Sequence, residues 1–333
     1  MKHHRKFLLA GIAPVASTLA ILALVFVFVV NSVGAAPATA AAHVANGRHA
    51  LGIRGHVPAV NESRTSTPKL RYHGGPVMQA QEVSYAIFWE PSGWTVSSTY
   101  NSLIERWFGD VGGSVLYNNN TQYYQVVSGT RQHIVNKSSL GAAWIDTAAY
   151  PASGCTDTIT PKECLTDAQI QAEVTHAISV NGWTAGLNHE FFVFTAKNVG
   201  SCFDSSSTTC AFSYYCAYHG NYTSGGSPVI YANMPYTGTD LTACGVSTTP
   251  NNDIDADSTI NVTSHEQMES VTDPEPNSAW ADSSGAEIGD KCAWMFGSVT
   301  LDGNKANVQF NGHFYIVQQE FDNKVDGCVL KGP

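Results

Sequence analysis

The sequence predicts an α+β domain built on a mixed sheet, and three observations carry that prediction. Two apolar, aromatic runs, VSYAIFW at 83–89 and EFFVFT at 190–195, have the length and composition of buried strands. Between and after them lie stretches with helical spacing of apolar residues, so strands and helices alternate along the chain. All eight cysteines fall beyond residue 150, which marks that part as loop-rich and stapled.

The chain of 333 residues opens with Lys2, Arg5 and Lys6, continues as a long apolar run and ends that run in small residues at 34–40. A basic start, an apolar core and an A-x-A-like exit read as a secretory signal peptide, with an uncleaved signal-anchor as the alternative. Residues 1–43 are assigned to it, residues 44–73 to a flexible linker without periodicity, and residues 74–333 to a single extracellular domain. The expected location is secreted, anchored only if the first segment stays in place.

Within the domain, Tyr100, Leu103, Ile104, Trp107 and Phe108 predict a helix over 97–109. Short strands are expected at 122–127 and 132–135. Thr166 is placed to cap a helix running to about 180, with Ile170, Val174 and Ile178 on one face. A strand pair is expected at 211–218 and 229–234. The acidic start at Asp253, Asp255 and Asp257 suits the positive end of a helix over 253–271, stopped by Pro274. Asn311-Gly312 predicts a hairpin between 307–310 and 313–320.

Charged residues make up 13% of the chain, and the net charge of −10 moves to about −13 once Lys2, Arg5 and Lys6 leave with the signal. No basic cluster follows, which excludes nucleic acid as an expected partner. An even cysteine count in an exported chain reads as disulfides. Short spacings suggest Cys155–Cys164 and Cys202–Cys210, with Cys216–Cys244 and Cys292–Cys328 to follow, although eight cysteines permit about 105 pairings.

The segment TINVTSHEQMESVTDP at 259–274 carries the chemistry. On a helix, His265 and Glu269 lie one turn apart on one face with Glu266 beside them. Two ligands so spaced can grip a zinc ion or another divalent cation, and the intervening glutamate can take a proton from bound water. A third ligand is expected from SGAEIGD downstream: Glu287 as ligand, with Asp290 bonding the free nitrogen of His265. His219 and His313 are candidates for stabilising a transition state nearby. The ordinary alternative is an exposed helix face with solvated glutamates. No P-loop, G-x-G-x-x-G or G-x-S-x-G occurs, which argues against nucleotide-dependent and serine-elbow enzymes.

HEQMESVTD followed by SSGAEIGD resembles the H-E-x-x-H…S-G-A…E…D pattern of thermolysin-like metallopeptidases, departing at the second ligand. The resemblance implies a zincin-like domain in which His265, Glu269 and Glu287 bind metal and Glu266 is the catalytic base. Over residues 74–330, YAIFWEPSGW, HEQMESVTDP, AEIGDKC and FYIVQQEFDN also resemble secreted proteins of the phosphate-induced, EXORDIUM-like type. That likeness implies export and a cell-wall-associated role.

The leading expectation is therefore a secreted zinc-dependent metallopeptidase-like protein. Its extended peptide substrate would add to the edge of the 211–234 strand pair. The alternatives are a non-catalytic cell-surface or cell-wall protein binding polysaccharide or protein, and a metal-free glycoside hydrolase using paired carboxylates.

Overall fold

The computed structural model describes residues 47–54 and 68–333. The expected signal or anchor at 1–43 lies outside them. The centre is a six-stranded sheet made of β1 (Arg48–Gly52), β2 (Glu82–Trp89), β3 (Ser138–Asp146), β4 (His189–Thr195), β5 (Tyr215–Ser224) and β6 (Ser227–Met234). Across the sheet they lie in the order β1-β5-β6-β4-β2-β3. The pairs β3/β2, β2/β4 and β4/β6 are parallel, while β6/β5 and β5/β1 are antiparallel. A mixed sheet with helices packed on it is the α+β class that the sequence predicts.

The two runs expected to be buried strands are β2 and β4, adjacent and parallel near the middle, where both faces are covered. Phe88 and Phe194 stack there with ring centroids 5.2 Å apart. Burying one such phenylalanine contributes roughly 1.5–3 kcal/mol.

Three longer helices position the rest: α1 (Tyr100–Val111), α2 (Asp167–Asn181) and α3 (Ile254–Thr272). Helix α1 buries Tyr100, Leu103, Ile104, Trp107 and Phe108, the stripe seen in the sequence, and Trp107 donates to Gln267 on α3 at 3.3 Å. Helix α2 starts with a capping box between Thr166 and Gln169 and stops at Gly182, whose φ of 65° suits glycine. Helix α3 is capped by Asp253, which accepts from Ala256 N and from the hydroxyls of Ser97 and Thr99. Alternate residues of a strand face opposite ways. Tyr218 on β5 donates to Asp167 of α2, whereas His219 meets Glu266 of α3, so α2 and α3 cover opposite faces.

The four disulfides are Cys155–Cys164, Cys202–Cys210, Cys216–Cys244 and Cys292–Cys328, and they indicate an oxidising compartment. Asn311-Gly312 closes the expected hairpin, between Val308–Phe310 and His313–Tyr315. Among the described residues no helix is long and apolar enough to cross a membrane.

Two expectations are corrected, and one strand is added. The stretch 44–73 is not wholly linker: Arg48–Gly52 is a sheet strand, and Arg71–Tyr72 pairs with Trp280–Ala281. RHALG is too short and mixed to signal a strand, and its conformation comes from pairing with β5. Strand β3 is absent from the sequence reading because SSLGAAWID is small, half-exposed and at the sheet's far edge. Finally, β5 and β6 offer no free edge to a peptide, since β1 lies along the outer side of β5.

Candidate metal centre

Helix α3 is buried over its whole length from Ala256 to Thr272 although most of its side chains are polar. Buried polar groups need partners, and α3 finds them in two directions. Toward the sheet, the Gln267 amide donates to Glu82 and to the hydroxyls of Ser84 and Ser138, and Ser270 donates to Glu190 at 2.6 Å. Toward the β1/β5 side of the same sheet and the loop at 287–290, His265, Glu266 and Glu269 meet a second set of polar groups.

Glu269 is the hub. Its Oε2 lies 3.1 Å from His265 Nε2 and 3.7 Å from His219 Nδ1, and its Oε1 accepts from Asp290 N at 2.9 Å. Glu266 Oε2 lies 3.2 Å from His219 Nδ1, and its Oε1 is 3.4 Å from Leu51 N on β1. His49 meets Asp290 Oδ2 through Nε2 and Glu287 Oε1 through Nδ1, the latter at 2.9 Å. Glu287 Oε2 lies 3.7 Å from His219 Nε2, and Asp290 Oδ1 lies 3.9 Å from His265 Nε2. All of these residues are fully buried except Asp290, which is 8% exposed.

Two triads bring one ligand atom per residue within 4.8 Å of one another: His49, Glu269 and Asp290, and His219, Glu266 and Glu269. Several facing atoms complete no directed hydrogen bond: His49 Nδ1, His219 Nε2, His265 Nε2, Glu269 Oε2 and both oxygens of Glu287. Glu320, fully buried and close enough to be felt by Glu269 and Asp290, completes no directed hydrogen bond through either oxygen, although Gln318 lies near it. Among the described residues no lysine or arginine forms an ion pair with any of these carboxylates.

The electrostatics follow from that composition. Burial pushes the carboxyls of Glu266, Glu287 and Glu320 well above the usual range, and neighbouring carboxylates add to the shift. Burial, and then the nearby rings of His49 and His265, hold His219 well below an ordinary histidine. Burial alone would lower His49 too, but Asp290, Glu287 and Glu269 outweigh it and raise it well above the usual value. His49 in turn keeps Asp290 below the usual range, against the effect of burial.

The site residues named from the sequence thus divide. His265, Glu266, Glu269, Glu287 and Asp290 share one buried cluster, and His219 joins them. Asp290 rather than Glu287 forms a ligand-ready triad with Glu269, while Glu287 faces two imidazoles. Asp290 was expected on the free nitrogen of His265, but Gln318 is there instead: its amide nitrogen lies 2.9 Å from both His265 Nδ1 and Gly289 O. His313 is engaged elsewhere, its ring 44% exposed and its Nδ1 2.6 Å from Asp110 on α1. Sequence reading missed His49, Gln318 and Glu320. His49 lay in the supposed linker, and nothing local marks the other two. Cys155, Cys164 and Cys202 also cluster, but each is consumed in a disulfide.

No protein-family description, curated protein or solved structure matches this chain.

Proposed function

We propose that this is an exported metal-dependent hydrolase in which the cluster around Glu269 holds a divalent cation, zinc by the notation of its ligand types. One observation carries the reading: buried imidazole nitrogens and carboxylate oxygens, left without directed hydrogen bonds and without a lysine or arginine partner, converge on one place. Buried anions of this density call for a counter-charge, and a divalent ion supplies one.

Glu269 would be the anchoring ligand, because both triads include it. Asp290 and a histidine would complete the set: His49, as in the triad with Glu269, or His265, whose Nε2 is 3.1 Å from Glu269 and 3.9 Å from Asp290. Bound there, zinc would polarise a water molecule and lower its pKa. Glu266, next to His265 on the same helix, would take a proton, and Glu287, which faces both His49 and His219, would fix which nitrogen of each ring carries the proton. With the Gln318 amide nitrogen toward His265 Nδ1, the ring's proton sits on Nε2, facing Glu269. A half-turn of that amide moves the proton to Nδ1 and frees Nε2, at the expense of the bond to Gly289. Extracellular peptides or cell-wall material are the substrates this reading favours.

Complete burial favours a second reading, a closed metal centre that stabilises the fold without chemistry. Elemental analysis of the purified chain and of Glu269→Gln tests the shared part. One zinc per chain is expected, lost in the variant; a chain that binds no divalent cation overturns it. Glu266→Gln separates the two readings, since it should keep zinc and abolish hydrolysis of a peptide library if the centre is catalytic.

A further inference from the structure

Strand β1 covers the free edge of β5, where sequence reading had put an extended peptide. It runs antiparallel to β5, with Arg48 opposite Gly220, His49 opposite His219 and Ala50 opposite Tyr218. No cysteine precedes Cys155, so no disulfide holds β1 to the domain. What it presents is what an occupant of an active-site groove presents. His49 enters the cluster, Leu51 N reaches Glu266 at 3.4 Å, and Gly52 O accepts from Trp294 Nε1 at 2.9 Å.

The groove is shaped for backbone. A Cβ on Gly220 would lie 3.2 Å from Gly47 O and 3.3 Å from Arg48 Cγ. On the opposite face of the sheet, Arg48 sits in an acidic subsite. Its guanidinium lies 3.0 Å from Asp167 Oδ2, donates to Phe203 O at 3.1 Å and rests 5.2 Å from the Phe203 ring centre. Asp167 is itself fixed by Tyr218, Tyr231 and Gln171, and a cavity of about 670 Å³ opens beside it.

We infer that β1 occupies the groove of an extended peptide ligand, that it blocks the metal centre in the full chain, and that the Asp167 subsite takes a basic side chain of that ligand. The blocking role rests on the metal-centre reading; the groove does not. Antiparallel strand addition supplies main-chain affinity, and side-chain pockets supply specificity. Removal of β1 would withdraw His49 from the cluster and Leu51 from Glu266, which opens a centre otherwise sealed.

The test inserts a specific protease site between residues 55 and 67 of the full chain and cuts it. A fluorescent peptide GRHALGIR, matching residues 47–54, is then offered, and zinc release to a chelator is timed before and after cutting. The expected result is one-to-one uptake of the peptide by the cut chain only. Zinc release should quicken about tenfold or more on cutting and slow again with peptide, and a peptide carrying Arg48→Glu should bind at least about tenfold more weakly. A cut chain that takes up no peptide over a day and guards its zinc as before makes β1 a permanent strand and overturns the inference. Equal binding of the charge-reversed peptide overturns the basic subsite. Uptake of peptide by a chain that never holds zinc overturns the metal centre and leaves the groove standing.

Discussion

His49 and His219 face each other across the β1/β5 pair with rings stacked, centroids 5.8 Å apart and planes 19° from parallel, and both rings are fully buried. Their surroundings treat them oppositely. His49 sits against Asp290 and Glu287, which raise it well above the usual histidine value, while burial and the neighbouring rings lower His219 well below it. In the metal-free chain His49 is therefore the partner that Asp290 and Glu287 face. His49→Phe retains a ring but leaves Asp290 and Glu287 without it. Breaking a buried pair from one side costs about 3–5 kcal/mol. Urea unfolding of the metal-free variant should show a loss of that order, and an unchanged midpoint would contradict the pairing.

Glu269→Gln should separate two effects that usually move together. In the metal-free chain it replaces one carboxyl of a crowded, buried acidic set by an amide that can donate to its neighbours, so the thermal midpoint should hold or rise. With zinc added, the wild-type chain gains about 4 kcal/mol at a thousandfold excess over the dissociation constant, and the variant should gain almost none. Calorimetry with and without zinc reads both. A variant still stabilised by zinc would remove Glu269 from the ligand set.

Gly289 touches the cluster from behind. A Cβ there would lie 2.5 Å from His265 Nδ1 and 2.8 Å from its Cε1, closer than real atoms approach. The backbone at Gly289 is ordinary, with φ −78°, so Gly289→Ala acts through space rather than through strain. The His265 ring or the Asp290–Cys292 turn must shift. Zinc affinity should fall about 10–100-fold, the range for disturbed support of a metal site, with the urea midpoint lowered less. Titration with a competing zinc chelator measures it.

The disulfide Cys292–Cys328 joins the turn carrying Asp290 to the strand Gly327–Val329, which pairs with the strand bearing Glu320. Its sequence separation of 36 gives a chain-entropy stabilisation of about 4 kcal/mol, against about 3 for Cys155–Cys164 with a separation of 9. Replacing both cysteines of either pair by serine should lower stability. Zinc affinity should fall only for the Cys292/Cys328 replacement, because only that bridge supports the cluster. Parallel urea melts and zinc titrations of the two double variants check this.

How much of this was legible in the sequence depends on how local each signal is. VSYAIFW, EFFVFT and the Thr166 and Asp253 caps carry their conformation in their own composition, and they became β2, β4, α2 and α3. The spacing of His265, Glu266 and Glu269 likewise guaranteed that they would stand together on one helix. β1 and β3 carry no such signal: five mixed residues and a run of small ones become strands only when a neighbour offers its edge. The same limit applies to His49, Gln318 and Glu320, which reach the cluster from sites distant in sequence. The exchange between Glu287 and Asp290 was out of reach for a related reason. The loop aims both carboxylates inward, and the spacing alone does not say which of them meets Glu269 and which the imidazoles of His49 and His219.

Away from the cluster, Glu173 on α2 predicts a pH effect of definite sign. Burial, and then the Asp146 carboxylate of β3, raise it from an ordinary value of 4.5 to about 9. Neither Glu173 Oε1 nor Asp146 Oδ2 has a hydrogen-bond partner. Between those two values the folded chain binds more protons at this site than the unfolded chain does. By linkage its contribution is fully present below pH of about 4.5 and is lost as pH rises through about 9. Glu173→Gln cannot ionise and can donate an amide hydrogen to Asp146. Its stability relative to wild type should therefore grow as pH rises from about 5 to about 9, with the difference smallest at the acid end. Urea unfolding of both chains across that range gives the slope directly. A constant difference would mean that Glu173 ionises in the folded chain as it does in water.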